Sequence, residues 1–148
     1  MRKQTILKSF LILLPVLAVG LATTADSVLT FDSVSGITDY YSYFDILPYA
    51  EFQLLPPLAA MLSGLSGILA VISLIFKNKG TLKASSIVAL ISAALAVLPI
   101  IRTGDVRVIP NVGLPIFMIC QYVLAYYLAK NADKLETEQN APRLSRKA

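Results

Sequence analysis

The sequence predicts an all-α integral membrane protein: a four-helix transmembrane bundle with a small extracytoplasmic antiparallel β cap. Three observations lead there. The 148 residues are 56% hydrophobic and only 15% charged, where a soluble domain carries about 25% charged residues. The apolar residues fall in four long blocks rather than at amphipathic spacing. The basic residues flank those blocks in an alternating pattern, the charge asymmetry expected of successive membrane crossings.

The first block covers residues 6–24 and is interrupted only by Lys8 and Ser9 near its start. The others cover 52–76, 82–101 and 112–129. Each is close to the roughly 20 residues that a helix needs to cross the hydrocarbon core. A backbone in lipid must bond within its own segment, so each block is predicted to be a helix. Pro56 and Pro57 fall in the first turn of the second helix, where a missing donor matters little. Pro15 and Pro99 lie deeper and Pro115 near the start of the fourth helix. The first 25 residues also fit a signal peptide, with a basic start, an apolar centre and small residues Thr23, Thr24 and Ala25. A retained helix is the preferred reading, because four helices close a bundle better than three.

Orientation follows from lysine and arginine. Arg2, Lys3 and Lys8 lie at the N-terminal end of the first block, and Lys77, Lys79 and Lys83 surround the link between the second and third. Lys130, Lys134, Arg143, Arg146 and Lys147 follow the fourth. If all four blocks span, these share one side, and only Arg102 and Arg107 fall on the other. Positive residues mark the cytoplasmic side, so both termini are expected there, in a cell or plasma membrane. Residues 1–130 then form a single membrane domain, and the charged, proline-containing tail 131–148 is expected to be disordered.

The external loops are 25–51 and 102–111. The first holds five carboxylates and no lysine or arginine. Residues 27–32 and 37–44 are rich in β-branched and aromatic types, with Gly36 between them for a turn, which is a hairpin pattern. Residues 106–109 are a short β-prone piece that could add a third strand. Asp32, Asp39, Tyr40, Tyr41, Tyr43 and Asp45 are the candidate partner surface, since tyrosine is common at interfaces. The preferred reading of these tyrosines is nevertheless packing of the sheet and an aromatic belt at headgroup depth, with Tyr122, Tyr126 and Tyr127 as its inner counterpart. Calcium is disfavoured, because the aspartates are six or seven residues apart rather than at alternate positions.

Small residues dominate the second and third helices. Ala60, Gly64 and Gly67, with Ser63, Ser66, Ala70 and Ser73, fall at spacings of three and four. Ser85, Ala89, Ser92, Ala93 and Ala96 match them on the third helix. Such faces let backbones approach closely in lipid. They predict a tight antiparallel hairpin of helices two and three, with Gly80 turning the chain. Gln121, beside Cys120 in the fourth block, is the most notable polar residue of the bundle and should bond a serine on helix two or three.

Several chemistries are excluded. There is no histidine, which removes the commonest general base and metal ligand. No charged residue lies centrally in any block, where proton-coupled transporters and voltage sensors need one. No catalytic, cofactor-binding or metal-binding residue is therefore assigned, and nucleic acid is not an expected partner. The expected function is that of a non-catalytic binding, scaffold or accessory subunit acting through its helices or its acidic aromatic cap. Its partners would be the lipid bilayer and either another membrane protein or further copies of itself. The alternative is an oligomeric transporter or permeation component for a small solute.

Overall fold

Four helices and two strands make up the computed structural model, which describes residues 2–24, 28–31, 36, 38–44, 54–103 and 109–144. In chain order they are α1 (Arg2–Ala22), β1 (Val28–Phe31), β2 (Thr38–Tyr41), α2 (Leu55–Phe76), α3 (Lys79–Thr103) and α4 (Ile109–Leu144). Each helix contains a stretch long and apolar enough to cross a membrane: Thr5–Ala22, Leu55–Phe76, Lys79–Leu98 and Val112–Ala132. The helices close a ring in which α1 adjoins α2, α2 adjoins α3, α3 adjoins α4 and α4 adjoins α1. The contacts are densest on both sides of α3 and sparser around α1.

The interior is built from small side chains. One buried cluster holds Ala18, Ala22, Ala59, Ala60, Ala89, Ala93 and Ala96, closed by Tyr43, Leu114 and Met118. A second, towards the opposite end, holds Leu11, Ala70, Leu82, Ala125, Leu128 and Ala129. The large aliphatics point outward: Met61 is 65% exposed, Ile75 68% and Phe76 74%. A water-soluble bundle would bury these residues. In hydrocarbon there is no drive to do so, and helices associate through small faces instead.

The link between α2 and α3 differs from its expected form. Lys77, not Gly80, takes the left-handed conformation that ends α2, with φ 51°. The backbone N–H groups of Lys77 and Asn78 both donate to the Ser73 carbonyl. The Asn78 side-chain oxygen then accepts from the backbone N–H of Gly80 at 2.8 Å and of Thr81 at 3.4 Å. Asn78 thus caps the first turn of α3, as asparagine does well at this position. Gly80 sits inside that turn, and the chain reverses over Lys77 and Asn78 alone.

Pro56 and Pro57 occupy the first helical positions of α2. Pro15 stands inside α1, where it removes one intrahelical donor. Between α1 and α2, β1 and β2 pair antiparallel in the register Val28 to Tyr41 and Phe31 to Thr38. Gly36 lies between them with φ 69°, a left-handed conformation that glycine adopts without strain. Ser42 to Phe44, expected as the end of the second strand, leave the ladder and turn back onto the bundle.

Two further expectations change at α4. Of the piece 106–109 that could add a third strand, 106–108 lie outside the described residues, and Ile109 already opens α4. Pro110 favours that start, since proline suits the first helical positions. At the other end α4 continues through Leu144, across much of the tail expected to be disordered. Alanine, lysine, leucine, glutamate and glutamine fill most of 129–139, and these are good helix formers.

Candidate functional site

Helix α2 carries two stripes of small residues. Ala59, Ser63, Ser66, Ala70 and Ser73 recur at intervals of four and three and are all buried. This stripe meets α3. The Ser66 hydroxyl lies 3.1 Å from the Ser85 carbonyl, and the Ser85 hydroxyl donates back to the Ser66 carbonyl at 2.8 Å. The two hydroxyl oxygens are 3.3 Å apart. Farther along, the Ser92 hydroxyl donates to the Ala59 carbonyl at 2.7 Å. A side chain this short reaches a neighbouring backbone only if the helices nearly touch. The expected α2–α3 hairpin is therefore held through Ser66, Ser85, Ser92 and Ala59, with Ala89 buried between the two α3 serines.

Gly64 and Gly67 do not belong to that seam. A Cβ added at Gly64 would meet Val19 at 3.8 Å, and one at Gly67 would meet the Pro15 ring at 3.0 Å, both on α1. Each glycine is one residue beyond a seam serine, which turns it about 100° around the helix. Ala60 shares this second side and lies in the buried cluster with Ala18 and Ala22.

Gln121 lies on the buried stripe of α4 with Leu114, Met118, Ala125 and Leu128. Met118 belongs to one buried cluster and Ala125 to the other, so Gln121 marks the level between them. It is fully buried, and neither its amide nitrogen nor its amide oxygen has a hydrogen-bond partner among the described residues. The expected serine bond is not made. Ser66 and Ser85 engage each other's helix, Ser63 donates to the Ala60 carbonyl, and Ser86 to the Lys83 carbonyl. Leaving buried polar atoms unmatched destabilises by about 1–3 kcal/mol. Cys120, its neighbour, is exposed on the outer face of α4.

The candidate partner surface divides. Asp32 and Asp45 lie outside the described residues, and Asp39, Tyr40 and Tyr41 belong to β2, whose backbone alone is described. Tyr43 is not a surface residue: it is fully buried against the alanines of α1, α2 and α3. Its backbone N–H donates to the Ala22 carbonyl at 3.2 Å, and the neighbouring Ser42 hydroxyl donates to the same carbonyl at 3.1 Å. An interior of alanines leaves volume at this end, and the tyrosine ring fills it. The sequence signal was the alanine spacing at 18, 22, 59, 60, 93 and 96. Burial pushes the Tyr43 phenol above its ordinary titration range, because the ionised form would sit in an apolar setting.

Chemically the described part is quiet. The buried polar residues are serines and Gln121, with no buried ionisable carboxylate or amine among them. No group of three or more histidine, cysteine, aspartate or glutamate residues could hold a metal ion among the described residues. Comparison with family models, curated proteins and solved structures finds no match for the chain.

Proposed function

We propose that the chain is a non-catalytic binding, scaffold or accessory subunit of a membrane, with both termini cytoplasmic and the β1–β2 hairpin on the opposite face as a cap. The observation that carries this reading is the character of the buried interior. It is alanine, serine and a few larger apolar side chains, without a buried charge among the described residues. Such an interior offers no general acid, base or ion relay. Interaction is left to the lateral helix faces and to the acidic aromatic loop. Orientation is supported by the basic residues at the start of α1, in the α2–α3 link and after the α4 span.

The test is photo-crosslinking from a photoreactive residue placed at Tyr41 in the intact membrane, followed by mass spectrometry. One reproducible protein partner is the expected result. Adducts only to lipid or to further copies of the chain would move recognition away from the cap. One observation favours the second reading, an oligomeric permeation component: Gln121 is an unmatched amide midway along the bundle. A stable homo-oligomer in mild detergent that conducts a small solute in vesicles would establish that reading instead.

A further inference from the structure

We propose that the groove between α1 and α2 seats an acyl chain of an anionic phospholipid whose headgroup is held by Lys8 and Lys77. The inference goes beyond the accessory role and rests only on the helices being membrane-spanning. The groove has a volume of about 420 Å³, and Pro15, Val19, Gly64, Gly67, Ile68 and Ile72 are among its lining residues. Its floor is where Gly67 meets the Pro15 ring, so the two helices cannot come closer there. Branched aliphatic side chains form its walls.

Size selects the occupant. Gly64 to Ile72 is roughly 12 Å of helix axis. The volume over that length gives a cross-section of roughly 35 Å². A helix with side chains is about 10 Å across or more, which is roughly 80 Å². A whole helix is wider than this groove and could only lay side chains across its mouth, whereas a flexible hydrocarbon chain can lie along it.

Charge selects the headgroup. Pro15 faces Gly67 and Val19 faces Gly64, so α1 and α2 pass in opposite directions. Lys8, four residues before Ile12, and Lys77, five residues after Ile72 in the link that ends α2, thus stand at the same end of the α1–α2 pair, beyond the lining residues of the groove. Both are exposed. Lysine stems lie along apolar surface and carry the ammonium to headgroup level. The opposite end has no lysine or arginine at 19–24 or 54–64. A phosphate without a compensating choline matches this asymmetry, since basic residues at the membrane surface attract anionic lipid.

The full chain in mild detergent is titrated with dioleoyl phosphatidylglycerol or dioleoyl phosphatidylcholine and examined by native mass spectrometry. One phosphatidylglycerol should be retained in preference by about thirtyfold, on the scale of two surface lysines. Lys8→Gln with Lys77→Gln should abolish the preference. Gly64→Leu should remove retention of both lipids, because a side chain there meets only Val19 at 3.8 Å and extends into the groove. Val16→Phe, on the opposite wall, repeats the test from a residue that is 61% exposed, and circular dichroism establishes folding of each variant. Equal retention of the two lipids would overturn the proposal. So would a preference that survives the lysine changes, or a homodimer that Gly64→Leu dissolves. If the protein still resists carbonate extraction from vesicles in those cases, the membrane reading stands and only the lipid site falls.

Discussion

Helix α2 meets α3 and α1 on sides that differ by one residue in register, and the two contacts are opposites. Towards α3, short hydroxyls reach across and bond the opposing backbone. Towards α1, two glycines bring the helices together, yet a proline ring and branched side chains hold an apolar groove open. Smallness is common to both. What separates them is whether a small residue also carries a donor. Serine closes a contact because it satisfies a carbonyl while taking little space; glycine permits approach and adds no bond.

The sharpest way to break this comparison is disulfide trapping in a Cys120→Ser background. Ser66→Cys with Ser85→Cys should cross-link within the chain nearly completely. Gly64→Cys with Ala89→Cys should not, since Gly64 faces α1. Trapping of the second pair would move Gly64 back into the seam. Next in size is a pair of leucine substitutions read by unfolding in detergent. Gly67→Leu drives into the rigid Pro15 ring and should destabilise by about 1–3 kcal/mol. Gly64→Leu should stay within about 1 kcal/mol, its neighbour being at ordinary contact distance. Equal losses would mean that the groove is not open at Gly64.

Gln121 supplies the counter-case to the seam, a buried polar group without a partner among the described residues. Gln121→Leu should raise stability by about 1 kcal/mol. A loss of similar size would reveal a hydrogen bond worth keeping. A smaller effect is expected from a double-mutant cycle on Ser66→Ala and Ser85→Ala, whose coupling should be about 0.6 kcal/mol and at most about 1.7. Zero coupling would reduce the seam to packing. An effect seen only at alkaline pH is expected at Tyr43. Its phenol titrates above the ordinary range in the folded chain, so the neutral form stabilises the fold below that range. The contribution is lost as pH rises through the range and towards the folded value. Tyr43→Phe should therefore flatten the alkaline fall in stability, and an unchanged fall would place the titrating group elsewhere.

The four spans were legible because length and apolarity alone identify them. The type of packing residue was legible as well, in the runs of alanine, serine and glycine. Which neighbour each stripe faces was not. Spacings of three and four define a stripe but not its direction, and Ser63 and Gly64 satisfy the same pattern on different sides. Gln121 was conspicuous from its position, while its missing partner depended on the serines having bonded one another first. Tyr43 was read as belt, sheet packing or partner surface, and its burial in the helix bundle was not legible from the loop alone. The vacancy that receives it is made by alanines on three separate helices. The extension of α4 was missed because a charged, proline-containing tail suggests disorder, although its residues individually favour helix.

The two-residue link at Lys77 and Asn78 has a consequence for biogenesis. Neither helix can travel far without the other, so α2 and α3 must enter the bilayer as one hairpin. Ser66, Ser85 and Ser92 find their acceptors inside that hairpin, so it can leave the insertion machinery without an unmet hydroxyl at those positions. Helix α4, which follows them, brings Gln121, a buried amide without a hydrogen-bond partner among the described residues. The α2–α3 hairpin thus carries its serine bonds within itself, while the polar group of α4 adds none to it.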